Sequence, residues 1–275
     1  MKTVLSGWMI GVGVVMATPA AWGAGEGKNV VPDAALQADV IILGETHDNP
    51  AHHQVQAGWV TALKPKALVF EMLTEAQAAA DAPELRSDQA ALGAALGWAD
   101  SGWPDFAMYY PILAASDAPI YGAAVPRETV QAAFDGDVMA LFGEGAAAYG
   151  LADPLPEAQL SARLDLQFDA HCKAMPREAL GGMIEVQRLR DANLARAVVR
   201  ALDEVGPPVA VITGNGHARR DWGVPSYLAR VAPELSVFVL GQSEDAVMPD
   251  GGFDLVLDAP AVERPDPCEV FLNRE

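Results

Sequence analysis

A layered α/β fold, with a parallel or mixed central sheet flanked by helices and a helical cap subdomain, is what the amino-acid sequence predicts. Three observations predict it. Short aliphatic runs bounded by Gly, Pro or Asp recur along the chain, as strands buried on both faces do. Helix-period stretches separate them, which is the alternation of a layered α/β protein. The 275 residues, 51% hydrophobic and 20% charged, match one large globular domain.

The first segment reads as an address. MKTVLSGWMIGVGVVMATPAAWGA carries Lys2, an apolar run over 8–17, the helix-breaker Pro19 and small residues at Ala21, Gly23 and Ala24. That is the pattern of a secretory signal peptide, residues 1–23, cleaved after Gly23 or Ala24. The run is short for a membrane span, and no cysteine lies near the cleavage site for lipidation. The mature chain, 24–275, is therefore expected to be one periplasmic domain with no stable membrane insertion.

Strands are predicted at 39–44, 67–71, 119–122, 209–213, 236–240 and 253–257, with helices at 50–63 and 225–231. Two long, alanine-rich, mostly helical insertions, at about 75–115 and 128–207, are expected to form the cap. In the second, a helix near 179–205 presents a stripe of Leu180, Ile184, Gln187, Asp191, Leu194, Val198, Leu202 and Val205. Gln187 and Asp191 interrupt that apolar stripe. Buried polar groups need partners, so either the helix looks into a polar site there, or it bonds a loop, or its apolar face ends early.

Lys and Arg total 18 against 37 Asp and Glu, a formal charge of −19 and a pI near 4.5. Nucleic acid and anionic membrane surfaces need clustered positive charge, so both are excluded as partners. An anionic ligand must instead be met by a few locally placed arginines. The two cysteines, Cys172 and Cys268, are expected to pair, since an exported chain meets an oxidising compartment.

The chemistry concentrates at strand ends. The first strand runs into Gly44-Glu45-Thr46-His47-Asp48-Asn49-Pro50-Ala51-His52-His53. Asp48 or Asn49 suits an N-cap and Pro50 the first helical position, which puts His47 in the loop and His52 and His53 in the first turn. The positive end of a helix dipole disfavours an imidazolium there, and neutral imidazole is the form that ligates iron or zinc. One of the adjacent pair, which diverge by about 100° around a helix, is allowed to be a surface residue. With the first two strands as parallel neighbours, Glu45 and Glu71 emerge side by side at the sheet edge where open α/β proteins bind ligands. Taken singly, Glu71 could equally cap the next helix. Gly214-Asn215-Gly216-His217 brings His217 to the same edge, and Arg127 arrives there after the third strand.

Together these pieces resemble the ChaN family of haem-binding uptake proteins, within the erythromycin esterase/ChaN-like and Tiki-type superfamily. The matching segments are GETHDNPAHH (44–53), VFEM (69–72), WPDFAMYYPIL (103–113), YGAAVPRE (121–128), HCKAMP (171–176), VQRLRDANLA (186–195) and GNGHARRDWGVP (214–225). All five histidines fall inside them. The resemblance implies haem binding, a part in iron acquisition, and homodimers that enclose the cofactor. Its implied cofactor-binding set is His47, His52, His53, Tyr109, Tyr110, Arg127, His171, Gln187, Asp191, Asn215, His217 and Arg219. The axial ligand stays open between a tyrosinate and an imidazole. Trp98, Trp103 and Phe106 would cover the porphyrin, and Arg127, Arg219 or Arg220 would meet its propionates.

The alternative is a metal-dependent hydrolase holding a divalent ion such as zinc. Glu45, His47, Glu71 and His217 would be its ligands and bases. The chain offers no nucleophile elbow and no H-E-x-x-H helix.

Overall fold

The computed structural model describes residues 30–266 except 135, together with 268 and 269. The predicted leader, 1–23, lies outside them. Six strands form one sheet: β1 (Val40–Glu45), β2 (Ala67–Phe70), β3 (Ile120–Gly122), β4 (Val209–Gly214), β5 (Val237–Glu244) and β6 (Leu255–Ala259). Every ladder is parallel, in the order β3-β2-β4-β1-β5-β6. Each predicted strand is present, shifted by a few residues at its ends. The expectation that the first two strands are neighbours is corrected: β4 lies between β1 and β2 and pairs with both.

Helices cover both faces, which is why the strands read as continuous apolar runs. They are α1 (Asp33–Leu36), α2 (Pro50–Leu63), α3 (Glu75–Ala78), α4 (Gln89–Ala95), α5 (Phe106–Ala114), α6 (Arg127–Ala133), α7 (Val138–Phe142), α8 (Glu157–Ala170), α9 (Gly181–Val205), α10 (Asn215–Ala218) and α11 (Val224–Val231). Alternate β1 residues feed separate cores. Ile41 and Leu43 pack with Trp59, Phe70, Tyr109 and Ile112 beneath α2 and α5. Val40 and Ile42 pack with Leu194, Val198 and Leu228 beneath α9 and α11. Full burial of such a side chain is worth about 1.5–3 kcal/mol, so the sheet edge is a rigid platform.

Two local devices fix what stands on that edge. Asn49 caps α2 by accepting from the Ala51 N–H at 3.0 Å, and Pro50 opens the helix. Asn215 starts α10 and is tied to β5 in both directions, donating to the Gln242 carbonyl at 2.7 Å and accepting from the Gln242 N–H at 3.1 Å. Cys172, just beyond α8, is disulfide-bonded to Cys268 with Cα atoms 5.4 Å apart. Among the described residues, no helix is long and apolar enough to cross a membrane.

Candidate functional site

A cleft of about 390 Å³ opens at the carboxyl edge of the sheet. β1 and β2 approach β4 from opposite sides: Glu45 is in register with Gly214, and the Glu71 N–H donates to the Ile212 carbonyl at 3.1 Å. The two carboxylates therefore flank Gly214. That glycine leaves room for the His47 ring, because a Cβ there would sit 2.8 Å from His47 Nε2 and displace it.

The polar floor is a row of side chains linked by hydrogen bonds and ion pairs. Tyr109 Oη donates to Glu45 Oε1 at 3.0 Å, and His47 Nδ1 lies 2.8 Å from the same oxygen. Glu71 Oε1 lies 3.8 Å from His47 Nε2 and 3.5 Å from His217 Nε2. Glu71 Oε2 accepts from Thr213 Oγ1 at 2.6 Å and from the Gly214 N–H at 2.8 Å. His217 Nδ1 closes the row on Asp191 Oδ1 at 2.6 Å.

Their electrostatics follow from burial working against pairing. Burial raises Glu45, but hydrogen bonds and charge from His47 and His53 outweigh it and hold the carboxyl at about 2. Glu71 is also lowered: burial opposes, and the charges of His217 and His47 prevail. Burial alone would lower His217, yet Glu71 and Asp191 lift it to about 9. His47 is raised in the same way, against burial, by its Glu45 hydrogen bond and by Glu71. Burial pushes Asp191 upward. Even so, the His217–Asp191 contact is an imidazolium–carboxylate pair, because a second carboxylate faces the other ring nitrogen.

Of the residues singled out in the sequence, His47, Glu71, Gln187, Asp191 and His217 line this cleft, and Trp103 forms part of its wall. Glu45 sits beneath it, 2% exposed, orienting His47. The others go elsewhere. His52 and His53 are both fully buried, so neither is the expected surface residue. His52 Nδ1 accepts from the Thr46 N–H at 2.9 Å, and its Nε2 lies 3.2 Å from the Ser243 carbonyl. That arrangement defines a neutral ring, and burial lowers its pKa. His53 Nε2 bonds the His47 carbonyl at 2.9 Å, and its Nδ1 faces Glu45 Oε2 at 3.2 Å. Both histidines brace the loop from behind.

Tyr109 is 0% exposed, and burial with the Glu45 charge raises its pKa, so it is a neutral donor and not a tyrosinate. Tyr110 turns away to donate to the Arg86 carbonyl at 3.0 Å. Trp98 and Phe106 pack in the core around Tyr109. His171 sits at the end of α8 against the Gln167 carbonyl, outside the cleft lining. Asn215 is spent on β5. Arg219 is held by Asp221 and stacks on Trp222, while Arg220 bonds Asp254 and the Val237 carbonyl. Arg127 faces an adjoining compartment of about 450 Å³ beyond Trp103.

Sequence reasoning missed Arg163, Leu166 and Gln167 on α8, Arg190 on α9, and Trp222, all of which line the cleft. Arg190 had a signal, lying between Gln187 and Asp191 on the helix already suspected of facing a polar site.

A family model described as "Haem-binding uptake, Tiki superfamily, ChaN" matches residues 31–228. The chain belongs to the ChaN family. Among solved structures, "Cofacial heme binding to ChaN of Campylobacter jejuni" is similar at 21% identity and a TM-score of 0.62, covering 78% of this chain and 84% of that one. At that identity the likeness shows a shared fold. The type III effector HopBA1 is matched at 13% identity and a TM-score of 0.44, covering 82% of this chain and 89% of that one. No curated protein matches in sequence.

The lining of the cleft fits haem. Among the described residues, no group of three or more His, Cys, Asp or Glu is arranged to hold a metal ion. Haem brings four nitrogens of its own and asks the protein for an axial donor and apolar walls. His47 fits the first need: its side chain is 32% exposed, and the carboxylate at Nδ1 is the partner that orients ligating histidines. Leu166, Ile184, Trp103 and Trp222 fit the second.

Proposed function

We propose that this ChaN-family protein binds haem in the cleft, with His47 Nε2 toward the iron, and that it serves haem and iron uptake or handling in the periplasm. The observation that carries the reading is His47 itself, braced by Glu45 and opening on a cleft with aromatic and aliphatic walls. Bound haem would supply an iron centre for which His47 would be the protein donor. The chain's part is to orient that nitrogen: the buried Glu45 carboxylate holds the ring through Nδ1 and leaves Nε2 toward the cleft. Because, against burial, Glu45 and Glu71 raise the His47 pKa, ligation would release a proton to solvent. Export accords with the leader pattern of 1–23 and with the Cys172–Cys268 disulfide, a bond that persists in oxidising compartments. A homodimer closing over the open side of the cleft belongs to the same reading.

The test is a haem titration of the purified mature protein followed in the Soret region, with metal analysis and size-exclusion chromatography on the same sample. A saturable shift, weakened and altered in shape in His47→Leu, supports the reading. No shift, or an identical one in His47→Leu, overturns it.

A further inference from the structure

Arginine in this acidic chain is mostly neutralised in place. Arg86, Arg188 and Arg264, for example, each meet a carboxylate at 3.0 Å or less. Two arginines that line the cleft do not: among the described residues, neither Arg163 nor Arg190 has a carboxylate within ion-pair distance. Arg163 is the stronger case. It is 6% exposed, the one buried side chain of α8, and its Nε has no hydrogen-bond partner. Its contacts are the Trp222 carbonyl, 3.3 Å from Nη2, the Trp222 ring, 5.2 Å from Cζ, and the Tyr227 side chain, with the charge of Asp191 acting on it from further off. Of the two acidic side chains that share its cleft, Asp191 is committed to His217, and Glu71 to Thr213, Gly214 and the facing histidines.

A guanidinium removed from water without a counter-ion destabilises the fold that holds it. A fold that keeps one at the wall of a cleft is poised for an anion from outside, and a planar fork suits a carboxylate. Arg190 lines both this cleft and the compartment beyond Trp103, so the two guanidiniums stand on separate helices around walls that are largely apolar.

We infer that Arg163 and Arg190 form an anion subsite that selects a ligand bearing two carboxylates on an apolar body. The inference deepens the haem reading and rests on it for the nature of that body; the requirement for carboxylates is independent. It also replaces Arg219 and Arg220, whose guanidiniums are already taken.

Haem-free full-length mature protein is titrated with metal-free protoporphyrin IX, with its dimethyl ester and with haem, each read by quenching of tryptophan fluorescence. The diacid should bind at least about tenfold tighter than the diester, the worth of one hydrogen bond between charged groups. Arg163→Gln and Arg190→Gln should each erode that preference. Arg163→Gln should also leave the ligand-free Tm unchanged or higher, since it removes an unpaired buried charge; a purely structural arginine would show a fall. Equal binding of diacid and diester, or a preference intact in Arg163→Gln, overturns the subsite. Haem binding no tighter than metal-free porphyrin counts against the iron contact and leaves the subsite standing. Should no porphyrin bind, the haem reading fails. The subsite is then judged by naphthalene-2,6-dicarboxylate: a Tm rise lost in Arg163→Gln sustains it, and no rise in the wild type overturns it.

Discussion

Replacing Glu71 by glutamine keeps the shape of the side chain and removes its charge. Its Oε2 accepts from Thr213 Oγ1 and the Gly214 N–H, so the amide must place its oxygen there and turn its NH2 toward His47 and His217. A donor then faces two ring nitrogens that had faced an acceptor. His217 Nε2 lies 3.5 Å from Glu71 Oε1. At an effective dielectric of about 20, a unit charge pair at that distance is worth about 5 kcal/mol. Since the carboxylate charge is spread over two oxygens, about half of that, or about 2 pKa units, is the expected loss. His217 should fall from about 9 to near its ordinary value of 6.5. The assay is a pH titration of the histidine Cε1–H signals by NMR in haem-free protein, with His217→Asn for assignment. An unchanged His217 midpoint in Glu71→Gln would refute the claim that Glu71 holds the proton there.

Three further outcomes are expected. His52→Ala strands the Thr46 N–H and the Ser243 carbonyl in a buried place, at about 1–3 kcal/mol for each. Chemical denaturation should register that loss, and any effect on haem affinity should follow from it. Cys172→Ser/Cys268→Ser opens a loop with a sequence separation of 96, which the chain-entropy relation values at about 4–5 kcal/mol; a Tm indistinguishable from the oxidised parent would contradict it. The pH profile of haem-free stability should be a dome. Glu45, held at about 2 against 4.5, stabilises fully above pH 4.5 and loses that contribution as pH falls toward 2. His217, at about 9 against 6.5, stabilises fully below pH 6.5 and loses its share as pH rises through 9. Each side is worth up to about 3 kcal/mol, and urea denaturation across pH 3–10 would reveal a flat profile if this reasoning fails.

The strands were legible because both faces of the sheet are covered, which makes each one a continuous apolar run. Their order was not, since nothing in a strand's composition names its neighbour. The meeting of His47, Glu71, Asp191 and His217 could be read from three strand ends and one interrupted helical stripe. The roles of His52 and His53 were misread by weighing residue type over periodicity. His52 and His53 head a buried face that continues through Val55, Gln56, Trp59, Val60 and Leu63, and that spacing of three and four already turned both rings inward. Arg163 gave no such sign, because α8 is polar almost all round and buries that side chain alone.

The place of β4 has a consequence for how the protein comes into being. A chain emerging from its amino end delivers β1 and β2 early, each with a carboxylate at its tip, but the strand that must lie between them arrives only at Val209. Until then Glu45 and Glu71 have no common scaffold, and the Thr213 and Gly214 donors that hold Glu71 do not exist. Apart from the local Glu45–His47 brace, the cleft is thus built from contacts distant in sequence, the class whose loop-closure cost is met before they reward the chain. A nascent or truncated chain lacking its last third carries every residue of the GETHDNPAHH segment but lacks Asp191, His217 and the strand that brings Glu71 to His47, so the cleft can form only once β4 has arrived.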